Sequence, residues 1–245
     1  HIKILLIILT LSFLLGMTAT PERTDGFNIF SLFDYNLAYE IRLHKAMKEE
    51  LICPFHYFGV SDIVLEGKES DDDLDFNMLI SNERVGHIIE KSQFYGCDNG
   101  EIKSLVFCSK IQEASELAHM FNSFGYKSIS LSGQDSEECR ERSIKHLEDG
   151  GLNYIFTVDI FNEGVDIPKV NQIIMLRPTQ SAIVFVQQLG RGLRNTAGKE
   201  YLTVIDFIGN YQSNFLIPIA LYGDYSYNKD SIRKLVASGS VFIPG

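Results

Sequence analysis

Short apolar runs recur along this chain with room for one helix between most neighbours, and that rhythm limits its fold more than any other feature. The runs Ser104–Cys108, Lys127–Leu131, Tyr154–Val158, Gln172–Leu176 and Tyr201–Phe207 have strand length and strand composition. Between them, Ile111–Phe124, Glu137–Glu148 and Ala182–Leu189 have helical spacing; the middle one takes Asp135 or Ser136 as N-cap and Gly150 just past its end. Strands that alternate with helices imply an α/β fold, a mostly parallel, doubly wound sheet flanked by helices. Earlier in the chain the same rhythm predicts a strand over Leu37–Leu43, a short helix over His44–Ile52, a strand over Phe55–Val60 and a helix over Phe76–Tyr95. Glu66–Asp75 is acidic and reads as a solvated loop. Its Asp71, Asp73 and Asp75 open like a calcium loop, but Phe76 replaces the turn glycine and Asn82 the closing glutamate, so no metal site is expected.

Composition excludes several function classes. The net charge of −10 and pI near 5.1 rule out a surface that is basic overall, so any nucleic-acid contact must use a local groove. Four scattered cysteines, with no C-x-x-C pair, suggest neither zinc nor a disulfide framework but buried reduced thiols in a cytoplasmic protein. The apolar start, Ile2–Leu15, is too short to span a bilayer. It reads either as a buried strand or as a secretory leader ending near Thr20, and no membrane partner is expected.

Two strings carry candidate chemistry. In Gln187-Gln188-Leu189-Gly190-Arg191-Gly192-Leu193-Arg194, the arginines stand three apart at the end of a helix-like segment, a spacing that would put both guanidinium groups on one helical face. A planar, permanently charged fork suits phosphate, and Gly190 and Gly192 allow close backbone approach. A basic last turn favoured by the helix dipole is the plainer alternative. The second string, Asp159 to Pro168, follows an apolar strand and places Asp166 two residues beyond Gly164, an arrangement that suits a nucleotide contact. Alone, it reads more readily as an ordinary strand-to-loop turn.

Taken together, these strings resemble superfamily 2 helicases. Thr18-Ala19-Thr20-Pro21 resembles motif III, Ser104 to Ser109 motif IV, Glu163 to Pro168 motif V, and Gln187 to Arg194 motif VI, all in the family's order. Leu131-Ser132-Gly133 with Arg140 resembles the segment between motifs IV and V. The branch that matches best is that of bacterial DEAD/DEAH-box helicases allied to restriction-enzyme motor subunits and the excision-repair helicase. The resemblance implies a three-layer RecA-like domain of P-loop NTPase type over 35–222, preceded by a remnant of a first motor domain over 1–34 and followed by a connection over 223–245.

It also implies roles. Arg191 and Arg194 would be arginine fingers, with Gln187 beside the γ-phosphate. Gly164, Asp166 and Gly190 would line the nucleotide, while Thr18 and Thr20 would couple hydrolysis to closure on the first RecA-like domain. Ser109, Lys110, Thr157 and Asn162 would contact a nucleic-acid backbone. ATP and Mg²⁺ would be held mainly by that first domain, because the chain has no G-x-x-x-x-G-K-[ST] and no Asp-Glu string before motif III. By itself it is therefore expected to be inactive and to hold no tightly bound cofactor. Gln188 and Val158, where the DEAD-box branch has arginine and threonine, incline the expectation toward DNA rather than RNA. The rival is a non-catalytic module that binds nucleic acid or a partner.

Overall fold

The computed structural model describes residues 15–16, 29–41, 43–63, 76–158, 160, 167–177 and 182–208. Most of the apolar start, the motif III threonines, the acidic loop at 66–75, most of motif V and the tail beyond 208 lie outside the described residues. By compactness the chain divides into one unit over 1–41 and another over 42–245.

The larger unit is built on six strands: β1 (Phe55–Ser61), β2 (Ser104–Phe107), β3 (Ser128–Leu131), β4 (Tyr154–Thr157), β5 (Gln172–Met175) and β6 (Leu202–Ile208). Their order is β1-β6-β5-β2-β4-β3, and every pair is parallel. Ser104 of β2 stands opposite both Tyr154 and Gln172. In β2 (SLVF), β4 (YIFT) and β5 (QIIM) all four residues are buried, as central strands covered on both faces must be.

Helices cover both faces of the sheet. They are α1 (Leu43–Lys48), α2 (Phe76–Leu79), α3 (Asn82–Tyr95), α4 (Ile111–Ser123), α5 (Glu137–Glu148) and α6 (Ala182–Gly190). On one face, Leu105, Phe107, Ile155, Ile173 and Val204 pack with Ile144 and Leu147 of α5 and Phe185 and Leu189 of α6. On the other, Val106, Phe156, Ile174 and Ile205 meet Val85 and Ile88 of α3 and Leu117 and Phe121 of α4. The side-chain alternation of each strand separates the two cores. This is the three-layer α/β/α architecture expected from the strand-helix rhythm.

Local chemistry sets the boundaries. Ser136 caps α5 by accepting from the Cys139 amide at 3.2 Å, and Gly150 just past its end takes φ +77°, which a side chain would resist. Two expectations fail. The helix expected over 76–95 is two helices, because the Ser81 hydroxyl accepts from the Arg84 amide and starts α3 afresh. The strand expected at 37–43 does not form: 37–41 is irregular, Leu37 and Tyr39 are exposed, and residue 43 already opens α1. Alternation makes a strand only where a neighbour takes its backbone hydrogen bonds, and 37–41 pairs with none among the described residues. Cys53 and Cys108 are buried as expected, whereas Cys97 and Cys139 are half-buried; all four are free thiols. No described helix is long and apolar enough to cross a membrane.

Candidate functional site

The strands share one direction, so the sheet has a carboxyl edge and an amino edge, and the candidate residues divide between them. At the carboxyl edge, β2 is followed by the buried Cys108, half-buried Ser109 and exposed Lys110. Lys110 occupies the N-cap position of α4 but makes no side-chain cap, as a lysine has no acceptor to offer. Glu113, in the first turn of α4, reaches back past the cap position instead: its Oε2 accepts from the Ser109 amide at 3.0 Å.

Glu113 is itself wholly buried, as are Arg84 and Asp62. The Arg84 guanidinium donates through Nη1 to Glu113 Oε1 at 2.9 Å and to the carbonyl of Leu79, which ends α2, at 2.9 Å. Through Nε it meets Asp62 Oδ2 at 2.9 Å and Oδ1 at 3.2 Å, and Nη2 lies 2.8 Å from Oδ2. One arginine therefore joins the segment after β1, the end of α2, and the first turn of α4. Cys108 lies beside this cluster; burial, with Glu113 adding to it, holds its thiol well above the usual range. Thr157 closes β4 at the same edge but is completely buried. Its hydroxyl is not on the surface, so the expected backbone contact is not available to it as it stands. Asn162 lies outside the described residues, as do Gly164 and Asp166.

The arginines of the Gln187–Arg194 string sit elsewhere. The helix α6 ends at Gly190, so the two do not share a helical face as their spacing had suggested. Arg191 and Gly192 form a turn, their amides donating to the carbonyls of Gln188 and Leu189 at 3.2 and 3.1 Å. Residues 193–196 are irregular, Arg191 is half-buried with Nε donating to the Gln187 carbonyl at 3.2 Å, and Arg194 is exposed. The exposed Gly190 faces open space. Gly192 is different: a Cβ there would lie 2.7 Å from Leu202 Cδ1 and 3.3 Å from Ile173 Cδ1, side chains at the starts of β6 and β5. The Leu193 carbonyl accepts from the amide of Cys53, ahead of β1, at 2.7 Å. This turn therefore packs toward the amino ends of the strands.

Sequence reasoning missed what fixes this turn. Lys199 Nζ donates to the Gly192 carbonyl and, at 3.2 Å, to that of Pro168, the last residue of the Asp159–Pro168 string. One ammonium thus links the ends of both candidate strings. Gln188 is buried with its side-chain amide against the Arg177 guanidinium; with the amide oxygen turned to that guanidinium, it accepts from Nη2 at 2.8 Å and Nε at 3.2 Å. Under the start of α6, Asp206 of β6 is buried with the Tyr57 hydroxyl donating to it at 2.8 Å, and the Tyr57 ring meets Phe185 edge-on. Burial pushes the Asp206 carboxyl up to about 6, an effect the Tyr57 hydrogen bond reduces. Arg84 and Glu113 did leave a trace in the sequence, since each is a charge on an apolar helical stripe, beside Val85 and Ile88 or Ala114 and Leu117.

Comparison with known proteins finds helicase relatives. The model of the helicase conserved C-terminal domain matches residues 86–196. A Saccharomyces cerevisiae protein provisionally named ATP-dependent helicase IRC3 is 25% identical over 205 residues, 80% of this chain and 29% of its own length. A 51.5 kDa protein of a Lactococcus phage is 23% identical over 208 residues, 82% of this chain and 44% of its own length. The chain thus spans less than half the length of either relative. Among solved structures, a fragment provisionally assigned as the HsdR subunit of a type I restriction enzyme from Vibrio vulnificus superposes with a TM-score of 0.64 at 19% identity. The match covers 85% of this chain and 42% of that one, and it shows the shared fold. Through the stretch from α3 to the turn after α6, this chain is similar to the helicase conserved C-terminal domain.

Proposed function

We propose that the chain is the second motor domain of an ATP-dependent DNA helicase or translocase, contributing Arg191 and Arg194 to the nucleotide site and the Ser109–Lys110 loop to the nucleic-acid groove. The observation that carries the reading is the Lys199 bridge, which holds the carbonyls of Gly192 and Pro168 on one ammonium and so fixes the Arg191–Arg194 turn against the end of motif V. A site that stabilises charge developing on a phosphate must be organised before the charge appears. A turn packed on Leu202 and Ile173 without space for a Cβ, and anchored by a lysine, meets that requirement.

In this reading the two arginines supply fixed positive charge to the terminal phosphates of ATP, and Gln187 lies one helical turn away. The triphosphate cradle and the Mg²⁺ ligands come from a first motor domain. Gly164 and Asp166 complete the nucleotide contact, and Thr18 and Thr20 couple hydrolysis to closure. Lys110, exposed at the start of α4, gives a sequence-blind contact to a backbone phosphate, with Ser109 and Asn162 beside it. Thr157 is withdrawn from that set because it is buried.

The test is nucleic-acid-stimulated ATP hydrolysis by the longer protein that joins this domain to a first motor domain. Arg191→Ala should lower kcat by about 10³-fold, the scale of arginine-finger losses, and Arg191→Lys should not restore it. A near-normal kcat in the alanine variant would reassign Arg191 to a structural turn. A parent protein without turnover would favour a binding module.

A further inference from the structure

The Ser109–Lys110 loop is held by buried charge, and that is an unusual choice. A buried ion pair rarely stabilises more than apolar side chains of the same volume would, because desolvating the charges costs about as much as their attraction returns. What such a network does provide is a fixed arrangement. Here the fixed element is specific. Glu113 uses its two oxygens for two different donors, Oε2 for the Ser109 amide at 3.0 Å and Oε1 for Arg84 at 2.9 Å. Arg84 is in turn locked by Asp62 and the Leu79 carbonyl, so it cannot turn away from Glu113 without breaking three other contacts.

We propose that Arg84 and Glu113 form a buried positioning pair that sets the Ser109–Lys110 loop for a nucleic-acid backbone phosphate. The inference rests on the reading of that loop as part of the groove. Neither residue touches the strand. Arg84 acts through Glu113, and Glu113 through the Ser109 amide, to fix the backbone that carries Lys110. A carboxylate suits this arrangement and a glutamine does not: in the same pose a glutamine turns its oxygen to one of the two donors and its NH2 to the other.

Glu113→Gln is the informative variant. It keeps the volume and leaves Arg84 paired with Asp62, so the core retains a balanced ion pair. It also gives the proposal a sign. Removing a negative charge from beneath a phosphate site would, by Coulomb attraction alone, tighten binding of an anionic strand. Loss of positioning weakens it.

The measurement is fluorescence anisotropy of a labelled single-stranded oligonucleotide on the whole chain, for wild type, Lys110→Ala, Glu113→Gln and the double variant, with amide hydrogen exchange at Ser109. Lys110→Ala should weaken binding about tenfold at low salt, the scale of one charged contact. Glu113→Gln should weaken it by about threefold or more, yet add almost nothing in the Lys110→Ala background, because both act on one contact. A purely structural role would add in both backgrounds. The Ser109 amide should be protected in wild type and lose protection in Glu113→Gln while β4 and β5 amides keep theirs. If wild type does not bind, or Lys110→Ala binds normally, the groove reading falls and takes this inference with it. If Lys110→Ala is weakened while Glu113→Gln binds as tightly as wild type, or the two effects add, only this inference falls. An unprotected Ser109 amide in wild type overturns it without any variant.

Discussion

The loop after β2 and the turn after α6 lie toward opposite ends of the same parallel strands, and different chemistry holds each of them. At the carboxyl edge, the Ser109–Lys110 loop hangs from a buried carboxylate that is itself fixed by Arg84. At the amino edge, the Arg191–Arg194 turn is held by shape and by carbonyl capture: Gly192 seated on Leu202 and Ile173, the Leu193 carbonyl on the Cys53 amide, Lys199 across the outside. On the proposed function, the difference follows from what each would present: the loop after β2 one exposed cation to a nucleic-acid strand, and the turn after α6 two guanidinium groups to a nucleotide.

Perturbing one edge should leave the other intact, and the largest effect belongs to the amino edge. Arg194→Ala in the longer protein should cost about 10³-fold in kcat with the affinity for single-stranded DNA unchanged; parallel losses in both would deny that the edges are separate. Gly192→Ala sharpens the same point sterically. Its new methyl meets Leu202 at 2.7 Å, so thermal unfolding should show a loss of about 1–3 kcal/mol, the usual cost of overpacking. An unchanged melting temperature would mean that the turn can move away from β6.

The next effect depends on pH. Asp206 lies beneath α6 with its folded carboxyl at about 6, above the ordinary value of 3.8. The folded state therefore holds this proton more tightly than the unfolded chain does. The cost of burying the charge is fully present above pH 6 and fades as pH falls from about 6 to 4. Asp206→Asn, which can still accept from Tyr57, should stabilise the chain by about 3 kcal/mol at pH 8 and by little at pH 4. A gain equal at both pH values would mean that the carboxyl is not the cause. Smallest is Lys110→Ala: beyond its loss of affinity, the slope of log affinity against log salt should fall by about 0.7, one phosphate on a single strand. An unchanged slope would put the phosphate contact elsewhere.

The division between the edges marks where the sequence could be read and where it could not. The three-layer fold was visible in the buried runs of β2, β4 and β5, since strands covered on both faces read as mostly apolar runs without alternation. Ser136 and Gly150 were legible because caps are local. The strand over 37–43 misled because alternation says nothing about whether a partner strand exists. Within the candidate site, Arg191 and Arg194 could be picked out, but their placement on one helical face could not survive α6 ending at Gly190. The contacts that fix both edges were out of reach. Asp62, Arg84 and Glu113 meet across separations of 22 and 29 residues, and Lys199 reaches back 31 to Pro168. No periodicity within one element encodes such a meeting. The sequence marks only the oddity of a charge on an apolar stripe.

The most direct test of two separately built edges is a single steady-state experiment on the longer protein, with ATP turnover titrated against single-stranded DNA for wild type, Arg191→Ala and Lys110→Ala. Arg191→Ala should lower the plateau by about 10³-fold without moving the DNA concentration at half-maximum. Lys110→Ala should move that concentration about tenfold upward at low salt and leave the plateau within about twofold of wild type. If Arg191→Ala shifted the half-maximum with its plateau intact, or Lys110→Ala collapsed the plateau at saturating DNA, the assignment of nucleotide to one edge and nucleic acid to the other would be contradicted.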